Sequence, residues 1–236
     1  MGKLIDYRNA AREFRGRGAT MAAITGADAT KLQAEYIALE AGGVFERAVP
    51  AGCDQHLFVL SGNGSIAEPG QPAHALKFGS FVLVEEAHRF VLQADVPCEV
   101  LSVLTPPPGT QWAVPGFRGG IKIVSMHNER VDDIPAAKKQ RIYLATRDSC
   151  GSERAHGMIV KYVPETETTL HMHPDAESLF VFLEGDTALT VDGDERTGRF
   201  GNAAFFPCGN KHDLHGTSGN SYFIEFHVPC KYTTVR

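Results

Sequence analysis

The chain has 236 residues, 43% of them hydrophobic and 22% charged, with a formal net charge of −5 and a pI near 6.1. This composition supports a sizeable core in one large or two small domains. It excludes the basic excess of a general nucleic-acid binder, and no apolar run reaches the roughly 18 residues that would suggest a membrane span.

Residues 4–15 (LIDYRNAAREFR) predict a short N-terminal helix within an N-terminal extension, 1–20. From Met21 the pattern changes to short β-type runs separated by Gly, Pro, Asn and Asp: 34–39, 43–49, 56–61, 64–68, 81–84, 90–94 and 99–104. Strands at such spacing predict a sandwich or barrel, here over 21–105. Residues 105–120 are rich in Pro and Gly and read as a linker anchored by Trp112. We extend that linker over 106–150, with a strand near 121–126 and a helical turn or loop over 132–141. A second barrel follows over 151–236. The five cysteines (53, 98, 150, 208 and 230) are odd in number and include no C-x-x-C pair. They read as free thiols rather than a disulfide framework or zinc site, with Cys208 a buried small hydrophobe. With an N-terminus that lacks the apolar core of a signal peptide, they lead us to expect a cytoplasmic protein.

Chemistry concentrates in 169–185, TLHMHPDAESLFVFLEG. Side chains two apart on a strand share a face, so His171 and His173 project together. Pro174-Asp175-Ala176 can reverse the chain, and Glu177 then opens a neighbouring strand. In 201–216, GNAAFFPCGNKHDLHG, a tight turn at PCGN precedes His212. A lone strand histidine is usually a packed or solvated residue; here the pair, the glutamate and the later histidine occur together beside strand-like runs. Three imidazoles and one carboxylate suit a divalent first-row metal: iron, manganese, nickel, copper or zinc. Tyr162 shares parity with Met158 and Val160, and Tyr222 with Ile224 and Phe226. Both tyrosines are therefore expected inside the barrel as catalytic candidates, to orient a substrate or pass a proton. The same parity places Lys161, Glu225 and His227 outward.

These two segments resemble the two motifs of the cupins. Gly201, five residues, Pro207, Gly209, two residues and His212 follow the second motif. His171-x-His173-x3-Glu177 follows the first. Glu165 stands where that motif begins with glycine, and seven residues rather than six separate Glu177 from Gly185. An extra residue exchanges the two faces of a strand unless a bulge absorbs it. A weak repeat aligns HLFVLSGNGSI (56–66) with SLFVFLEGDTAL (178–189) and KFGSFVLV (77–84) with RFGNAAFF (199–206). It pairs Gly62 with Gly185 and Gly79 with Gly201. Ala48, Pro50, Asp54 and Phe90 then stand where His171, His173, Glu177 and His212 do.

The resemblance implies an all-β double jelly roll of two cupin β-barrels, a bicupin with a degenerate N-terminal barrel and a metal-binding C-terminal one. It implies one divalent transition metal (iron, manganese, nickel or zinc) held by His171, His173, Glu177 and His212. It further implies a metal-dependent enzyme acting on a small, oxygen-rich, chelating substrate. A dioxygenase is placed ahead of a non-redox isomerase, lyase or aminohydrolase such as ureidoglycine aminohydrolase. A cupin that binds a small ligand for regulation or storage is the reading from another class. The expected partners are a small-molecule substrate and a second copy in a homodimer, with no nucleic acid and no membrane.

Overall fold

A computed structural model describes the whole chain, Met1–Arg236. Short runs rich in β-branched and aromatic residues, punctuated by turn residues, favour strands. Strands account for nearly every element, and helix is confined to a 3-10 turn at Pro135–Ala137 and one turn at Arg147–Cys150. No helix is long and apolar enough to cross a membrane. The chain forms two compact units. One comprises 10–128 and 150–154, the other 1–9, 129–149 and 155–236.

The N-terminal unit has a seven-stranded sheet in the order Ile121–Ser125, Ser80–Val84, Asp54–Ser61, Cys98–Thr105, Gln33–Leu39, Ala19–Ala23, Glu13–Gly16. Its second sheet orders Val44–Ala48, Arg89–Ala94, Asn63–Ala67, His74–Lys77. The C-terminal unit repeats the plan. Its seven-stranded sheet runs Lys3–Asp6, Asn202–Phe206, Glu177–Glu184, Ser221–Val228, His156–Tyr162, Lys139–Ala145, Val131–Ile134, and its smaller sheet runs Asp194–Gly198, Thr187–Val191, His212–Gly216. All pairings are antiparallel within each unit, giving the expected double jelly roll. Each barrel closes on an apolar interior: Ile37, Leu57, Val59, Phe90 and Val100 in the first, Val160, Phe180, Phe182, Phe206 and Phe223 in the second. Each such side chain contributes on the order of 1.5–3 kcal/mol by leaving water.

The repeat is visible in backbone detail. Gly62 and Gly185 both adopt positive φ, 77° and 69°. A Cβ at Gly62 would stand 2.1 Å from the Pro97 carbonyl oxygen, and one at Gly185 2.2 Å from that of Asn220. Only glycine fits such a position. The ligand positions, however, align one residue earlier than the sequence suggests. Gly209 N–H donates to the His173 carbonyl as Ala87 N–H donates to that of Val49, and His171 pairs with His212 as Arg47 pairs with Phe90. The counterparts of His171 and His173 are therefore Arg47 and Val49, not Ala48 and Pro50.

Two further expectations are corrected. Residues 4–15 are extended rather than helical, with strands at Lys3–Asp6 and Glu13–Gly16. Lys3–Asp6 pairs antiparallel with Asn202–Phe206, which satisfies its backbone and lets Leu4 pack on the barrel core. The stretch read as linker holds no strand over 106–120 but three strands beyond it. Ile121–Ser125 edges the first barrel's sheet, and Val131–Ile134 and Lys139–Ala145 extend the second's.

Candidate metal centre

Two strand ends bring three histidines together. His171 and His212 form a two-way backbone bridge, His171 N–H to the His212 carbonyl at 3.0 Å and the reverse at 2.8 Å. Alternation returns His173 to the same face. Ring centroids lie 4.5 Å apart for His171–His212, 5.0 Å for His171–His173 and 5.5 Å for His173–His212. One ring nitrogen of each lies within 4.8 Å of the others, so the group could hold a metal ion.

The other ring nitrogens settle the tautomers. Nδ1 of His171, His173 and His212 faces the carbonyl oxygens of Thr169 (2.8 Å), Thr233 (3.0 Å) and Asn210 (3.0 Å) respectively. A carbonyl can only accept, so each Nδ1 carries the proton and each Nε2 presents a lone pair. Nε2 of His173 and of His212 is buried without a hydrogen-bond partner. An unsatisfied buried nitrogen is costly, and a backbone carbonyl behind each imidazole is the arrangement that orients metal-ligating histidines. Burial keeps the rings neutral, with His173 pushed down to about 4 and His212 to about 3. Neutral imidazole is the ligand form.

Glu177 is not in this group. The strand Glu177–Glu184 shifts register against Ser221–Val228 between Phe182 and Glu184. The bulge at Leu183 absorbs the extra residue near Gly185, leaving the other end in phase with Phe180 and Phe182. Ser178 thus shares their inward face, while alternation turns the buried Glu177 the other way. Ser178 Oγ lies 2.9 Å from His227 Nδ1, and His227 Nε2 is tightly hydrogen-bonded to Glu225 Oε1. Burial works against the Glu225 carboxylate, but the His227 ring, Arg141 and Lys139 outweigh it and pull its pKa down to about 2. The His227 centroid is 4.8 Å from that of His173.

The parity of the last strand is therefore the reverse of that expected. Phe223, Glu225 and His227 face inward. Tyr222 faces out, with the Lys161 ammonium 5.2 Å from its ring centroid. Tyr162 is inward as expected, buried edge-on against Phe223. Cys208 is exposed in its turn rather than buried.

A pocket of about 280 Å³ opens onto the histidines, walled among others by Tyr162, Phe180, Leu214, Glu225, His227 and Tyr232. The tail 231–236 belongs to this wall. Asp175 accepts from Thr233 N–H (2.9 Å) and Oγ1–H (2.8 Å), and Val235 bridges Met172. Tyr232 is thereby set against His173 and His227, with centroids 4.7 and 4.3 Å away. No motif marks this tail; the alternation of Glu225 with His227 was the available signal for the inward acid–base pair.

In the N-terminal unit the corresponding interior is occupied differently. Arg47 pairs with Glu35 at 2.7 Å and donates to Gln55 and Ser102. Asp54, the counterpart of Glu177, faces away from that interior like it and accepts from Phe117 N–H, Ser152 Oγ–H and the Arg154 guanidinium.

Residues 158–224 match the family model for the cupin domain. No curated protein matches the sequence. Among solved structures, protein Ylba from E. coli is similar with a TM-score of 0.79 and 12% identity, over 98% of this chain and 91% of that one. The oxalate decarboxylase of Lactobacillus farciminis, solved as a formate complex, is similar with a TM-score of 0.73 and 15% identity, over 98% and 87%. A cupin 2 conserved barrel domain protein from Leptotrichia buccalis gives 0.69 and 14%, over 96% of each chain. At these identities the likeness is one of cupin fold.

Proposed function

We propose that the second barrel is a metal-dependent cupin enzyme acting on a small, oxygen-rich substrate that chelates the metal. The observation that carries this reading is the set of three imidazoles, each with Nδ1–H fixed on a backbone carbonyl. His171, His173 and His212 would hold one divalent first-row ion through Nε2, with iron, manganese, nickel and zinc all compatible. When bound, such an ion would supply Lewis-acid chemistry, or redox chemistry in the case of iron.

The chain's own residues do the rest. Phe180 and Leu214 keep one side of the pocket apolar, so charge on a substrate is felt strongly. His227 donates from Nε2 to Glu225 and accepts at Nδ1 from Ser178; a second proton on the ring reverses the Ser178 bond. This makes His227 the group placed to take or return a proton beside His173. Tyr162 can orient substrate from its hydroxyl. The Ser178–His227–Glu225 chain favours proton-moving chemistry, that of an isomerase, lyase or hydrolase, over the oxidative cleavage that the ligand types alone suggest.

We infer as well that the chain is a bicupin whose first barrel is degenerate. Arg47, Val49 and Phe90 replace the three histidines, and the Arg47 guanidinium supplies a fixed positive charge where the second barrel offers lone pairs.

The test is turnover of a panel of small organic acids by metal-reconstituted protein, with and without dioxygen. The proposal expects activity that survives without oxygen, is lost on chelation, and falls in His227→Ala although metal is retained. Strictly oxygen-dependent turnover would restore the dioxygenase reading. Binding of panel members without turnover would favour a ligand-binding cupin.

A further inference from the structure

Three cations line the pocket of the histidines: Lys139, Arg141 and Arg236. Lys139 and Arg141 stand two apart on the strand Lys139–Ala145. They pair with Tyr162 and Val160, whose side chains belong to the barrel interior, so both cations face inward. Arg236 arrives on the tail that Asp175 and Met172 pin in place. None of the three is in an ion pair. Several of the unit's surface cations are ion-paired, as in Lys138–Glu165 and Arg196–Asp194. Of the two carboxylates that line the pocket, Glu225 is engaged by His227 and Glu167 is exposed.

Arg141 is the clearest case. Its Nε is buried without a hydrogen-bond partner, and a terminal nitrogen makes only a long 3.5 Å contact to the Tyr143 hydroxyl. A guanidinium has five donors in a planar fork suited to a carboxylate. Left unfilled in a half-buried site, those donors are a standing cost. Burial likewise holds the Lys139 ammonium below its ordinary range, with Arg141 adding to the effect. The first barrel shows what a satisfied site looks like. Its larger hollow, about 440 Å³, is also lined by three arginines, but Arg15, Arg17 and Arg47 are paired with Glu13, Glu46 and Glu35.

We propose that Lys139, Arg141 and Arg236 form an anion subsite, and that the substrate is a small dicarboxylate-type acid with one carboxylate held there. Its other end reaches the histidines. Only this second clause rests on the proposed metal site. None of the three cations falls within the matched cupin segment, 158–224, so the specificity would come from the strand Lys139–Ala145 and the tail that flank it.

The experiment is calorimetric titration with malonate and with neutral malonamide, on metal-free and on cobalt-loaded protein. Cobalt uptake is read separately from its visible spectrum. We expect malonate to bind the metal-free protein, malonamide not to, and affinity to fall with added salt. Arg141→Gln and Arg236→Gln should each weaken malonate about tenfold or more, as loss of a charge-assisted hydrogen bond does. Arg141→Lys should recover part of that loss, and cobalt uptake should be unchanged in all three. Arg236→Gln, on the terminal segment, guards against a folding defect at Arg141. Equal malonate affinity in wild type and the Arg141→Gln/Arg236→Gln protein, or equal binding of malonamide, would overturn the subsite. Failure of cobalt uptake with arginine-dependent malonate binding intact would overturn the metal reading and leave the subsite standing.

Discussion

Ser178 Oγ lies 2.9 Å from Nδ1 of His227, and the two sit opposite one another on neighbouring strands. The contact fixes the phase of two strands at once. It also gives His227 a defined donor and acceptor side, with Glu225 on the other nitrogen. Replacing Ser178 by Ala would leave a buried imidazole nitrogen without its partner. We expect a loss of about 1–3 kcal/mol, seen as a lower urea midpoint, with metal content unchanged. Loss of metal in that variant would show Ser178 supporting the ligands directly.

Gly185→Ala tests the turn shared by both barrels. Its φ of 69° and a Cβ position 2.2 Å from a backbone oxygen leave no room for a side chain. Destabilisation of at least about 1–3 kcal/mol is expected. Gly193→Ala, with φ of 91° but open space around it, should cost less. Equal midpoints for the two would contradict the packing argument.

Asp54 is buried against Arg154, with Ser152 and the Phe117 amide completing its shell. Removing one member of a buried pair strands the other charge, at a cost of about 3–5 kcal/mol. Asp54→Ala should therefore destabilise the first barrel severely while leaving the metal stoichiometry of the chain as it was. A variant that instead lost one of two bound metals would assign Asp54 a ligand role.

His56 gives a pH signature. It is buried, bonded to Thr105 Oγ1 at 3.0 Å, and burial lowers its pKa from 6.5 to about 4. The unfolded chain then binds more protons than the native one between these values. Stability is full above pH 6.5 and declines as pH falls from 6.5 toward 4, by on the order of 3 kcal/mol from this residue. His56→Leu should flatten that part of the curve. An unchanged slope would show that His56 titrates normally.

The three histidines were legible because strand alternation and a tight turn place them without help from distant parts of the chain. The parity of 221–228 was not, since Ile224 and Phe226 are buried on one face and Phe223 on the other. A strand apolar on both sides offers no phase. Glu177 was misplaced for a related reason, because spacing counts residues and cannot say at which end a bulge falls. Val131–Ile134 and Lys139–Ala145 carry many charged residues, so their strand character depends on pairing partners that local pattern does not reveal. The tail contributes Tyr232 and Arg236 only through its anchorage on Asp175 and Met172.

The most direct test is the metal content of protein purified without chelator and reconstituted with a divalent first-row ion, measured by elemental analysis. Wild type is compared with His171→Ala, His173→Ala, His212→Ala and Glu177→Ala. The account predicts one equivalent per chain in wild type and Glu177→Ala, and a loss of at least about tenfold in affinity in each histidine variant, with the fold retained by circular dichroism. No metal uptake by wild type, or full uptake after removal of His173 or His212, would contradict it.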